Sequence, residues 1–240
     1  MSDKSPDEMD QKFEQRRDDA REEINAMDKS TLHDQTERRN FFNAVYANAK
    51  GDSAYVPWAD LKPKDKLDQW LKENSRIKVS HTLAAMDVAC GLGDNAEALA
   101  NAGYKTTAFD LAEDAIAWAK KRFPETKVEY QKADLFDLPQ EWKGAFDLVH
   151  ECYTLQALPP DMLEKSAATI TSLVKPGGTL LVFTRTRLDE ANVEGPPWPL
   201  EQSATMLFKD LGFELVRNDE FQNQKNGRVV PHAFMEWRKI

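Results

Sequence analysis

The segment Asp87-Val88-Ala89-Cys90-Gly91-Leu92-Gly93-Asp94-Asn95 places two glycines where an apolar run gives way to a helical pattern. Lacking a Cβ, Gly91 and Gly93 let the backbone turn tightly and come close to a ligand. Free N–H groups at the start of the next helix then favour a carboxylate or phosphate. Asp110 closes the second apolar run, where a carboxylate can grip both hydroxyls of a ribose. Asp134 follows the third run, in Ala133-Asp134-Leu135-Phe136. There its carboxylate can accept from an adenine amino group, and the Leu135 N–H can reach the ring. Gly91 to Ala96 also satisfies the GxGxxG/A dinucleotide pattern, and Asp110 suits either ligand; Asp134 tips the reading towards an adenosyl group. The plainer alternative makes Asp110 and Asp134 polar strand ends or helix caps.

A second group sits after the fourth and fifth apolar runs. His150, Glu151 and Tyr153 are candidates for shaping an active site or for taking a proton from a nucleophile. In a strand, His150 and Cys152 share one face and Glu151 takes the other. Arg185 and Arg187 suit an anionic acceptor or simple surface charge. His232 reads as structural. Cys90 and Cys152 are expected to stay reduced, and no His, Cys and Asp cluster has metal-ligand spacing.

These residues need elements to position them. Short apolar strands are expected at 84–89, 105–109, 127–131, 145–152 and 179–184, with helices at 95–102, 112–123 and 161–174 between them. Such alternation implies parallel βαβ units, an open sheet covered on both faces, and a ligand site beyond the strands' carboxyl ends. Two further strands, 213–221 and 231–238, flank residues 222–228 and their Asn226-Gly227 turn signal. No helix fits between them, so they pair antiparallel. The expected architecture is α/β: a Rossmann-like, doubly wound, seven-stranded sheet ending in an antiparallel hairpin strand, with a helical N-terminal cap.

Residues 1–40 form a highly charged extension, read as a solvated helix or partly disordered tail, or else as a lid over bound ligands. Residues 41–240 form the main domain, with its cap at 41–80, where 61–74 reads as an amphipathic helix. The 240 residues carry a net charge of −9, which disfavours a polyanionic partner such as nucleic acid. No apolar run approaches the ~20 residues of a membrane span. The sequence therefore predicts a cytoplasmic protein, a monomer or weak dimer, acting on a small molecule.

The motifs at 86–100, 109–111, 133–135, 146–158 and 175–182 resemble those of the class I S-adenosylmethionine-dependent methyltransferases, and the resemblance runs from about 84 to 240. It implies S-adenosylmethionine as cofactor and S-adenosylhomocysteine as product. It also implies cofactor contacts from Trp58, Asp87, Ala89, Gly91, Gly93, Asp110, Leu111, Asp134, Leu135 and Glu151. Ala89 departs from the family pattern, standing where the first glycine belongs; slightly tighter packing is expected there.

Pro57-Trp58 and Gly195-Pro196-Pro197-Trp198, with Tyr153-Thr154, are similar to motifs of the thiopurine and thiol S-methyltransferases. That likeness implies an acceptor wall of Pro196, Pro197 and Trp198, joined by Arg185, and a thiol acceptor. A thiol of pKa ~8.5 needs little more than a pocket, whereas an alcohol or ammonium needs a base, for which His150 and Glu151 are the candidates, with Glu151 or Tyr153 shaping the site. N- or O-methylation of a small metabolite is the alternative. An NAD-dependent oxidoreductase and a non-catalytic S-adenosylmethionine-binding regulator are the rivals from other classes.

Overall fold

A computed structural model describes residues 6–74, 82–188, 193, 195–225 and 228–240. The helices are α1 (Pro6–Ala26), α2 (Gln35–Ala49), α3 (Asp65–Asn74), α4 (Asp94–Asn101), α5 (Glu113–Arg122) and α6 (Leu163–Ser172). The strands are β1 (Ala84–Val88), β2 (Lys105–Asp110), β3 (Glu129–Lys132), β4 (Phe146–Cys152), β5 (Val174–Arg187), β6 (Leu200–Glu201), β7 (Phe213–Lys225) and β8 (Arg228–Lys239).

The main sheet runs β3-β2-β1-β4-β5-β8-β7, with the two-residue β6 paired to β5. Strands β1 to β5 are parallel, and β8 lies antiparallel between β5 and β7. The strand order reverses between β1 and β4, the point at which open α/β sheets bind ligands. Seven strands form the main path as expected; β6 adds an eighth.

Both faces of the sheet are buried, as parallel strands require. Met86, Val88, Val149, Val182 and Trp237 fill one face beneath α6. Ala85, Leu148, Leu181 and Phe234 fill the other, against Leu67, Trp70 and Leu71 of α3.

Several boundaries move for physical reasons. α3 begins at Asp65 rather than 61, because Pro63 disfavours helix at the residue before it. β5 starts at Val174, and the Pro176-Gly177-Gly178 stretch is taken up as an irregularity in its pairing with β4 between Phe146 and Leu148. Residues 222–225 continue β7, pairing Gln222 with Pro231 and Lys225 with Arg228, although their side chains are polar. The Asn226-Gly227 turn signal lies outside the described residues.

The N-terminal region is docked on the domain. Asp34 caps α2, accepting from the Thr36 and Glu37 N–H groups at 2.8 and 3.0 Å. Arg17 of α1 is buried, donates to the Ala59 carbonyl and lies 3.6 Å from Asp60. Leu32 is 1% exposed and packs with Phe41 and Val45 of α2. The described part of the extension therefore shares a core with the main domain, which its sparse apolar content concealed.

Candidate active site

A cleft of about 820 Å³ opens over the carboxyl ends of the parallel strands. Its first half is built by β1, β2 and β3 with the N-terminal helices. Gly91 and Gly93 both have positive φ, 55° and 91°. Gly91 lines the cleft; Gly93 lies just beneath, where a Cβ would collide with the Tyr130 hydroxyl. Only glycine meets both demands at Gly93. Trp58 lines the cleft and donates from Nε1 to the Tyr46 hydroxyl at 2.9 Å, and Tyr46 in turn stands beside Gly91.

Asp110 ties this loop to β2. Its Oδ2 accepts from the Gly91 N–H and its Oδ1 from the Ala112 N–H, both at 2.9 Å. Burial pushes its carboxyl up to about 6, while the backbone donors pull the other way. Each oxygen keeps a lone pair for a further donor. Asp134 also lines the cleft. Its Oδ1 accepts from the Phe136 N–H at 2.9 Å, and its Oδ2 from Gln35 at 2.9 Å and Arg38 at 3.4 Å. An adenine amino group placed at Asp134 would therefore share this carboxylate with α2. Leu111, Leu135 and Ala89 complete this half, and Arg21, Ile24, Phe41 and Phe42 close it from above.

Two carboxylates at the ends of consecutive strands, beside a glycine loop in left-handed conformation, supply the acceptors and the close approach that an adenosyl group requires. The residues present fit S-adenosylmethionine.

The second half is built by β4, β5, β7 and β8. Tyr153, Phe183, Arg185, Pro196, Pro197, Phe221 and His232 line it, with Lys64 from the N-terminal cap. Tyr153 Oη lies 2.9 Å from His232 Nε2, and His232 Nδ1 lies 2.8 Å from the Val230 carbonyl. Gln156 shapes the wall by accepting from the Arg185 N–H at 2.7 Å.

Five of the sequence candidates lie off the cleft lining. Asp87 and His150 face each other across β1 and β4, almost fully buried, with Asp87 Oδ1 2.7 Å from His150 Nδ1. Their common strand face points into the α3 side of the core, which removes His150 as a base and Asp87 as a wall residue. Glu151 is wholly buried; its Oε1 accepts from the Thr154 and Leu155 N–H groups at 2.6 and 3.0 Å. Burial pushes its carboxyl up to about 8. It caps the turn that carries Tyr153 rather than touching the cleft. Gly93 acts by clearance, as above. Trp198 turns away to pack against the Leu32, Phe41 and Val45 cluster, because its backbone N–H is held by the Gln156 carbonyl at 2.7 Å.

Sequence reasoning missed Lys64, Gln35 and Arg38 and set His232 aside. Lys64 and Arg38 are single charges in charged stretches, with no periodicity to single them out. His232 had a signal: the antiparallel pairing of the last strand brings it opposite Arg185 at the mouth of the fifth.

Comparison with known proteins adds a family context. Residues 85–178 match a family model described as a methyltransferase domain. A ubiquinone biosynthesis O-methyltransferase of Xanthomonas campestris pv. campestris (strain B100) is 38% identical over 108 residues, 44% of each chain. Another protein of that name, from Dechloromonas aromatica (strain RCB), is 31% identical over 157 residues, 64% of each chain. The chain thus spans about half the length of the curated relatives it matches.

Among solved structures, the 1,6-didemethyltoxoflavin-N1-methyltransferase of Burkholderia thailandensis, with bound 1,6-didemethyltoxoflavin and S-adenosylhomocysteine, superposes with a TM-score of 0.66 at 18% identity. That match covers 89% of this chain and 92% of the other. The magnesium protoporphyrin IX methyltransferase of Synechocystis PCC 6803, with bound S-adenosylmethionine, gives 0.65 at 17% identity over 89% and 100%. The fold is the Rossmann-like fold of these enzymes.

Proposed function

We propose that this protein is an S-adenosylmethionine-dependent methyltransferase acting on a small molecule, and that the acceptor atom is oxygen. One observation carries the reading: Gly91, Asp110 and Asp134, from the ends of three consecutive strands, line a single cleft at the point where the strand order reverses. When bound, S-adenosylmethionine supplies a methyl carbon made electrophilic by its sulfonium.

The chain's own residues bind, align and exclude water. Asp110 holds the ribose hydroxyls, Asp134 and Leu135 meet the adenine edge, and the glycine loop passes close beneath. Trp58, Phe41, Phe42 and Ile24 keep the first half dry. Alignment of this kind supplies much of the acceleration in a displacement at carbon.

Oxygen is preferred to sulfur for two reasons. Two relatives, 38% and 31% identical over part of their length, bear the name O-methyltransferase. The second half of the cleft also contains a paired tyrosine and histidine, which an acidic thiol does not require. The thiol reading leans on the Gly195–Trp198 loop, whose tryptophan packs away from the cleft.

Substituting Asp110→Ala and titrating S-adenosylhomocysteine by calorimetry tests the assignment. A loss of affinity of about tenfold or more is expected, from removal of charge-assisted hydrogen bonds. Unchanged affinity would remove Asp110 from the ribose site.

A further inference from the structure

The second half of the cleft contains a hydrogen-bonded chain with a defined direction. The Val230 carbonyl can only accept, so His232 Nδ1 carries the proton that it shares with that oxygen at 2.8 Å. In the neutral ring Nε2 then has a free lone pair, and the Tyr153 hydroxyl donates to it at 2.9 Å. The Tyr153 oxygen keeps its own lone pairs for a donor in the cleft.

The surrounding structure fixes both rings. Phe221 stacks on His232, with centroids 5.4 Å apart and planes 18° apart. Tyr153 has φ 68°, a left-handed conformation that a bulky residue adopts only where its surroundings hold it. Those surroundings are the Phe183 carbonyl, which accepts the Tyr153 N–H at 2.9 Å, and the Phe183 ring, edge-on at 5.2 Å.

Two cations flank the tyrosine. Lys64 Nζ lies 4.5 Å from its ring centroid and Arg185 Cζ 5.8 Å. Lys64 is paired with Asp60. Arg185 has no carboxylate partner among the described residues, and its buried Nε has no hydrogen-bond partner there either. Pro196, Pro197, Phe183 and Phe221 supply flat apolar walls.

Resting on the methyltransferase reading, we propose that this half binds a planar aromatic hydroxyl compound and holds it as its oxyanion. The acceptor O–H gives its proton to the Tyr153 oxygen as the Tyr153 proton moves to His232 Nε2. The O–H bond of the acceptor breaks with its electron pair left on oxygen, and the imidazole becomes an imidazolium that later releases the proton to water. Lys64 and Arg185 offset the negative charge on the acceptor.

Protonation behaviour agrees with these roles. Burial pushes the Tyr153 hydroxyl up to about 12, so it keeps its proton at neutral pH and relays rather than stores. Burial, with Arg185 and Lys64 nearby, holds His232 below its ordinary value, so it is neutral and able to accept. Cys152, the remaining ionisable group beside Lys64, is driven up by burial and stays a thiol.

The test uses 4-nitrophenol, whose anion is yellow and whose neutral form is colourless. It is titrated with the full-length protein saturated with S-adenosylhomocysteine, over a range of pH. The bound dye is expected to stay ionised at least about one pH unit below the free dye. His232→Gln and Arg185→Gln should each abolish that displacement and leave S-adenosylhomocysteine affinity within about twofold. A dye that does not bind, that ionises as it does free in solution, or that keeps its displacement in Arg185→Gln overturns the proposal. Arg185 is only half-buried and has no ion pair to lose among the described residues, so that variant serves should His232→Gln fail to fold. Cofactor-analogue binding is read separately by calorimetry; its absence sinks the methyltransferase reading, and the dye titration repeated on the ligand-free protein then decides the acceptor half by itself.

Discussion

Ala89 adopts φ 49° immediately after β1, where the related motif has glycine. A left-handed alanine costs about 1–2 kcal/mol, partly offset by the greater freedom of glycine in the unfolded chain. β1 ends one residue earlier than the apolar run suggests, so Ala89 stands in the turn, where left-handed backbone strain adds to any tighter packing. Ala89→Gly should raise stability by up to about 1 kcal/mol in urea unfolding, without loss of S-adenosylhomocysteine binding. Glu151 makes a second prediction at this scale. Its folded carboxyl titrates at about 8, well above the ordinary value of 4.5, so the ionised form opposes folding. Between those limits the unfolded chain loses its proton first, and native stability falls as pH rises; above pH 8 the penalty is complete. Glu151→Gln retains an oxygen for the Thr154 and Leu155 N–H groups. Its advantage over the wild type should grow from about pH 4.5 to 8 and then level off, reaching roughly 5 kcal/mol. Unfolding curves at pH 5 and pH 9 decide it, and an equal effect at both would show that the charge is not the cause.

At the scale of elements, the sheet was legible because strand termini and glycine turns write themselves into the apolar pattern. Asp110 and Asp134 could be placed for that reason alone. What the pattern hid was side-chain destination. Asp87, His150 and Glu151 sit on well-placed strand ends, yet two of them close on each other and the third caps a turn. The stretch at 222–225 looked like loop because its residues are polar, but an exposed strand end tolerates polarity. The N-terminal helices were the least legible: charge alone left a solvated helix, a partly disordered tail and a lid open, and only the fold shows Leu32 buried with Phe41 and Val45, and Arg38 and Gln35 reaching Asp134. Leu32→Ala should therefore cost about 2–4 kcal/mol in urea unfolding, as for other fully buried leucines. A change below about 0.5 kcal/mol would mean that this region does not dock.

For the molecule as a whole, the cleft divides at the reversal of strand order. The strands before it present carboxylates and a glycine loop; those after it present cations, aromatic rings and the Tyr153–His232 pair. That division is what the proposed cationic, hydroxyl-rich ligand on one side and an acceptor able to carry negative charge on the other would need. The chain's net charge of −9 does not reveal this, because the cations are few and local. The account's central claim is the first side, and pH gives it a signature. On the proposed reading, ribose hydroxyls would donate to the ionised Asp110 carboxylate, which burial pushes up to about 6 in the free protein. Binding is therefore linked to proton release in that range, and affinity falls as pH drops through it. The measurement is a calorimetric titration of the protein with S-adenosylhomocysteine at pH 7.5 and pH 5, with NAD in parallel. The account predicts micromolar binding of S-adenosylhomocysteine at the higher pH, weaker binding at the lower, and none of NAD. Binding of NAD with silence from S-adenosylhomocysteine would contradict it.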